Sequence, residues 1–152
     1  MRIVIQRVTR ATVTVEAEAY ASSIGKGLMV LVGFEEEDQD EDLEWLAKKM
    51  LAMRIFDDEE GVMNRSVMDV DGEVMLVSQF TLYAKTAKGN RPSYIRAAKP
   101  EISVPLYNKF VSLVQDAMGK PVGKGIFGAD MKIDMVNDGP VTIVMDSKNK
   151  NF

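Results

Sequence analysis

The apolar pattern changes its repeat part-way along the chain, and that change decides the class of fold open to it. Over the first thirty-four residues the pattern is that of strands. Ile3 and Ile5, with Arg7 in step, share one parity, and Thr12-Val13-Thr14-Val15 is β-branched throughout. After the punctuation of Ser22-Ser23-Ile24-Gly25-Lys26-Gly27, the run Leu28-Met29-Val30-Leu31-Val32 is short enough for a strand buried on both faces. This beginning predicts a β-meander. From Leu43 the repeat lengthens: Leu43, Leu46, Ala47, Met50 and Leu51 fall at helical spacing, while Glu44, Lys48 and Lys49 face away. The pattern predicts an amphipathic helix, with acids at the end where the helix dipole favours them.

Further along, Asp71-Gly72 between Val67-Met68 and Val74-Met75-Leu76-Val77 predicts a hairpin, because a type I′ turn needs positive φ at both central residues. Ser78-Gln79-Phe80-Thr81 then ends a buried strand. A second helix is predicted over residues 101–118, with Ile102, Leu106, Phe110, Leu113 and Ala117 as its apolar stripe and Pro105 tolerable only in the first turn. Glycines 119, 123, 125 and 128 loosen the chain, and residues 131–136 and 141–145 read as two final strands around Asn137-Asp138-Gly139-Pro140. The expected organisation is one α+β domain over residues 1–146, followed by a disordered polar tail, 147–152.

A chain of 152 residues with 46% hydrophobic content can bury one genuine core and is short for two. No run of eighteen apolar residues is present, and the start alternates rather than forming a signal peptide's apolar stretch, so a soluble, cytoplasmic protein away from membranes is expected. There is no cysteine, hence no disulfide, and no histidine. Together these exclude Ser-His-Asp and Cys-His triads, a cysteine nucleophile and the usual nitrogen- and sulfur-ligated zinc sites. No metal or cofactor is expected, and a site must work with hydroxyls, amides, backbone dipoles or the substrate's own groups.

The net charge of −4 argues against a nonspecific nucleic-acid binder coated in positive potential. The distribution is more telling than the total. Residues 35–42 hold seven carboxylates in eight positions, whereas Lys85, Lys88, Arg91, Arg96 and Lys99 lie in fifteen residues without an acid. That basic strip is either a solvated loop or a contact to a phosphate backbone. Taken alone, Ser78-Gln79-Phe80-Thr81 is either a cradle for a carbonyl oxygen or ordinary strand-to-loop sequence. Asp138-Gly139-Pro140 by itself reads as a turn.

Those two motifs occur together with Gln6-Arg7-Val8, Arg91-Pro92-Ser93, Phe127-Gly128-Ala129-Asp130-Met131 and Val136-Asn137-Asp138-Gly139-Pro140-Val141-Thr142. In this order and spacing the chain resembles the D-aminoacyl-tRNA deacylases over nearly its full length, residues 35–42 and the tail matching less closely. The resemblance implies a β-barrel-like sheet with flanking helices, a homodimer with active sites at the interface, and hydrolysis of the ester of D-aminoacyl-tRNA. It implies that Ser78, Gln79, Phe80 and Thr81 line the aminoacyl end, with backbone N–H groups around Phe80 suited to an oxyanion. Phe127 and Met131 are expected in the pocket for the terminal adenosine. Gly139-Pro140 is expected as a cis peptide reaching into the partner's pocket, steadied by Arg7; a cis bond before proline costs only about 0.5–1 kcal/mol over trans.

For the chemistry, the aminoacyl ester is already activated, and the ribose 2′-OH is the best group left to position or activate water. Thr81 as nucleophile is the alternative, weakened by the lack of a neighbouring base. A different class of reading is a noncatalytic homodimeric module that binds RNA ends through the basic strip. A metal-dependent esterase on the carboxylates of residues 35–42 is disfavoured, since those acids crowd one solvated loop.

Overall fold

The computed structural model describes all 152 residues. The expected meander is present: β1 (Arg2–Val15) pairs antiparallel with β2 (Tyr20–Ile24) along its second half and with β3 (Gly27–Gly33) along its first. The pairing of β1 with the last strand of the chain is irregular between Gln6 and Arg10, where the register shifts twice. The run 28–32 is buried on both faces as predicted. Leu28, Val30 and Val32 enter the larger of two apolar clusters and Met29 the smaller, which also holds Val8, Ala11, Val13, Ile24, Met75 and Val77.

Helix α1 (Asp40–Ala52) starts three residues before Leu43. The early start has a local cause: Asp42, at the third helical position, accepts the Gln39 N–H at 2.8 Å, and its carboxylate also receives Lys148 Nζ at 2.6 Å. The acidic segment is therefore not merely solvated. Asp38 is buried against the Met1 ammonium and accepts the Glu35 N–H, and Glu35 pairs with Arg96 at 3.0 Å. Burial alone would raise the Asp42 pKa, but hydrogen bonds from Lys148 and from the Gln39 N–H outweigh it and hold the carboxyl below its ordinary value. A group depressed in the folded state contributes stability above its unfolded pKa and loses it as pH falls through the folded one. Asp42→Asn should destabilise the fold at neutral pH by up to about 1 kcal/mol, and so lower the melting temperature, through the lost charge opposite Lys148. The difference from the unaltered protein should shrink as pH drops below about 4, read by thermal unfolding across pH.

The hairpin expected at Asp71-Gly72 does not form. After β4 (Phe56–Asp57) and β5 (Met63–Arg65), which pair with each other, the Ser66 N–H donates to Asp69 at 2.8 Å and the Gly72 N–H to the Val67 carbonyl at 2.8 Å, closing a compact turn. Asp71 does take positive φ, 50°. The following strand, β6 (Glu73–Ser78), instead pairs parallel with β3, and α1 lies in the crossover a parallel pair requires.

Helix α2 (Pro100–Met118) begins one residue before the prediction, with Pro100 as its first helical residue, so Pro105 falls beyond the first turn. It sits on the exposed side, where water can take the Glu101 carbonyl its missing N–H leaves free. The inner face is also displaced by one position from the predicted stripe: Ser103, Tyr107, Phe110, Val111 and Val114 are buried, while Ile102 is exposed. Both helices pack on the larger cluster.

The two final strands are one. After β7 (Gly123–Lys124), parallel to β6, the strand β8 (Lys132–Asp146) runs antiparallel along the other side of β1. The sheet thus reads β2-β1-β3-β6-β7 with β8 against β1. Tyr20 Oη donates to the Lys124 carbonyl at 2.7 Å, drawing β2 toward β7, so the sheet is a nearly closed barrel with two flanking helices. The end of the chain, expected to be disordered, is tied down at Ser147, whose hydroxyl accepts from the Met1 ammonium at 2.9 Å, and at Lys148. No helix is long and apolar enough to cross a membrane.

Candidate active site

Five of the residues singled out in the sequence line one cavity of about 570 Å³: Ser78, Gln79, Phe80, Phe127 and Met131. Ser78 ends β6, and the Gln79 N–H donates to the Val32 carbonyl at 2.7 Å, carrying the chain one step past the strand against β3. That approach is possible because residue 33 is glycine: a Cβ there would lie 2.9 Å from the Gln79 carbonyl oxygen. The chain then turns into a 3-10 helix, Phe80–Tyr83, at whose first turn backbone N–H groups have no partner within the helix. Thr81 does not line the cavity. It stands behind, receiving Gln79 Nε2 on Oγ1 at 2.5 Å, and so orients the amide.

The far wall comes from Phe127 to Met131 and from α2. Phe127 meets Tyr107 edge-on, centroids 5.8 Å apart. Burial pushes the Tyr107 phenol above its ordinary pKa, so it stays protonated and donates to the Leu76 carbonyl at 2.8 Å. Tyr94 and Ser103 also line the cavity and were missed in the sequence. Tyr94 directly follows the Arg91-Pro92-Ser93 motif, which was the available signal, whereas Ser103 was hidden by the one-position error in the helix face. No carboxylate, amine or imidazole is among the lining groups. The arrangement can hold a small apolar and aromatic ligand and offer amide and hydroxyl dipoles, but no side-chain base.

Arg7, Gly139 and Pro140 lie elsewhere. Gln6 pairs with Thr142 and Val8 with Asn137, so the single residue Arg7 of β1 faces four residues of β8, 138–141, which bulge outward. The Gly139-Pro140 peptide in this bulge is cis, as the resemblance implied, and both residues are exposed. Arg7 is only 7% exposed. Its Nε donates to the Asp138 carbonyl at 3.0 Å and Nη1 to the Ile55 carbonyl at 2.7 Å, with Asp57 and Asp138 carboxylates at 3.5 and 3.6 Å. Beside it Thr142 Oγ1 donates to Gln6 Oε1 at 2.6 Å. Arg7 thus holds the base of the bulge, and the bulge stands outside its own chain's cavity.

Comparison with known proteins bears on the same residues. A family model described as D-Tyr-tRNA(Tyr) deacylase matches residues 4–146. The chain is 61% identical over 150 residues to the D-aminoacyl-tRNA deacylase of Bacteroides thetaiotaomicron and 59% to that of Flavobacterium johnsoniae, covering 99% of each chain in both cases. Among solved structures, it superposes on a c-Myc DNA unwinding element binding protein with TM-score 0.89 at 41% identity, covering 96% of this chain and 98% of the other. A probable eukaryotic D-amino acid tRNA deacylase shares the fold at TM-score 0.82 and 20% identity, over 95% and 97% of the two chains. With the family model spanning both the cavity and the bulge, and identities near 60% across essentially whole chains, this protein belongs to the D-aminoacyl-tRNA deacylase family.

Proposed function

We propose that the chain hydrolyses the ester of D-aminoacyl-tRNA, releasing free amino acid and tRNA. The observation that carries the reading is the convergence of Ser78, Gln79 and Phe80 with Phe127 and Met131 on one cavity without an ionisable base. In this reading the terminal adenosine lies against Phe127 and Met131, and the ester carbonyl lies at the start of the 3-10 helix. Backbone N–H groups there stabilise the tetrahedral oxyanion, an effect worth about 2.7–4 kcal/mol per donor in comparable sites. Water attacks the carbonyl carbon, the ribose 2′-OH positions or activates it, and collapse expels the ribose 3′-oxygen, which takes up a proton. No cofactor enters.

The working unit is a homodimer in which each bulge, residues 138–141, enters the partner's cavity. Its exposure and its place outside its own cavity support this. There it acts as a chiral gate. With the substrate's ammonium and ester both fixed, exchange of D for L swaps the hydrogen and side chain on Cα, so an L side chain meets the bulge. Glycine has none to clash and is cleaved too. Acting on tRNA, the protein would work in the cytoplasm.

Incubation with D-tyrosyl-tRNA is the direct test: catalytic release of free tyrosine is expected, and saturable binding without release would leave an RNA-end-binding module. The basic strip serves as the phosphate contact in this reading. Lys85, Lys88, Arg91 and Lys99 are exposed and form no ion pair, while Arg96 pairs with Glu35. Replacing Lys85 and Lys88 by alanine should weaken binding to all tRNAs alike, because phosphate contacts carry no base information. It should also flatten the slope of log K against log salt by about 1–2 units. An unchanged slope would return these lysines to ordinary solvation.

A further inference from the structure

The mouth of the cavity carries an exposed aromatic pair, Phe80 and Tyr94, followed in the chain by the exposed Ile95. Phe80 is 54% exposed, Tyr94 40% and Ile95 80%. The Phe80 and Tyr94 rings meet edge-to-face, centroids 5.0 Å apart at 76°. Large apolar side chains exposed together mark a surface that binds something. What surrounds them narrows the choice. Lys85 and Ser93 exchange backbone hydrogen bonds at 2.8 and 3.0 Å, which sets this lysine beside Tyr94. Lys88, Arg91 and Lys99 of the same segment are also exposed and free of ion pairs, and Arg96 alone is paired, with Glu35. Exposed aromatics amid free cations match single-stranded nucleic acid, in which bases stack and phosphates are neutralised.

We propose that Phe80, Tyr94 and Ile95 form a stacking platform for the unpaired nucleotide immediately before the terminal adenosine of tRNA. The proposal rests on the reading that this adenosine occupies the cavity against Phe127 and Met131. Phe127 lies deeper, against the buried Tyr107, whereas Phe80 and Tyr94 line the same cavity and open to solvent. A strand whose last base is held at the floor leaves the cavity past this aromatic pair.

Three substrates test it: the D-tyrosyl ester of adenosine alone, of a cytidylyl-adenosine dinucleotide, and of the same dinucleotide with an abasic first position. For the unaltered protein, the cytosine base should raise kcat/KM by roughly five- to a hundredfold over the abasic substrate, the range of one base–aromatic stack. In a Tyr94→Ala, Ile95→Ser double variant that ratio should fall toward one, and Tyr94→Trp should restore it. The readout is a ratio within one protein, so a general loss of activity leaves it intact. An equal ratio in the unaltered and double-variant proteins, or none in either, would overturn the platform. A double variant that turns monomeric in sedimentation while keeping the ratio would assign the patch to a contact between copies. If D-tyrosyl-tRNA and all three small esters alike resist hydrolysis, the hydrolase reading itself fails; if D-tyrosyl-tRNA is cleaved and the cytosine base adds nothing to the small esters, the platform alone fails.

Discussion

D-Tyrosyl-tRNA ending in 2′-deoxyadenosine, with the ester on the remaining 3′-oxygen, should bind normally and be cleaved at least about a hundredfold more slowly than the natural substrate. That is the lower end of what a positioned proton-transfer group contributes. The expectation follows from a cavity wall with no carboxylate, amine or imidazole, in a chain without histidine or cysteine. Thr81→Ala should behave differently. Its hydroxyl accepts from Gln79 Nε2 behind the cavity, and losing one neutral hydrogen bond of about 1 kcal/mol should cost roughly five- to tenfold in kcat. Single-turnover deacylation of both substrates by both proteins separates the roles. A Thr81→Ala protein that folds and binds but is dead, beside normal cleavage of the deoxy substrate, would make Thr81 the nucleophile.

The second large effect should appear in stereochemistry. The unaltered protein should cleave D-aminoacyl esters of many sizes and glycyl-tRNA, while rejecting even L-alanyl-tRNA. Arg7→Ala should narrow the D-to-L ratio of kcat/KM by about tenfold or more, since the bulge loses a charged hydrogen bond worth about 1.5–3 kcal/mol at its base. Stability should fall by about 1–3 kcal/mol, because the Ile55 carbonyl loses its buried donor. Arg7→Lys should recover part of the stability but little of the ratio, an ammonium lacking the planar fork that reaches Asp138 and Ile55 together. Efficient hydrolysis of L-aminoacyl-tRNA by the unaltered protein would refute the gate.

What could be read from the sequence divides along the range of the interactions. The run 28–32 announced burial on both faces because every residue in it is apolar, and the period of α1 was visible because one face alone had to be. The parallel pairing of residues 27–33 with 73–78 was not visible: nothing local distinguishes a strand that turns back at Asp71-Gly72 from one that travels on to a distant partner. Asn137-Asp138-Gly139-Pro140 carries strong turn chemistry, yet both flanks pair with β1, so its residues push a bulge outward instead of reversing the chain. The helix face of α2 slipped by one position because its buried side includes Ser103 and Tyr107, which a stripe chosen for apolar residues at 102, 106 and 113 passes over. Ser78, Gln79, Phe80, Phe127 and Met131 were found through their motifs. Tyr94 sits in a loop with no periodicity, and its one signal was its place directly after Arg91-Pro92-Ser93.

The pairing of β1 with β8 has a consequence for how the molecule is made. A chain leaving the ribosome amino end first exposes residues 2–15 early, yet their partner along one whole side, residues 132–146, is among the last to emerge. Until then one edge of β1 stands bare, and a bare edge is a template for pairing with other chains. Arg7 and Arg10 place two cations along the vulnerable stretch, a common safeguard against such pairing. Contacts of this sequence separation also slow folding. The bulge comes with that last strand, so a nascent chain truncated before it should possess both helices and the other strands of the sheet but lack the proposed gate.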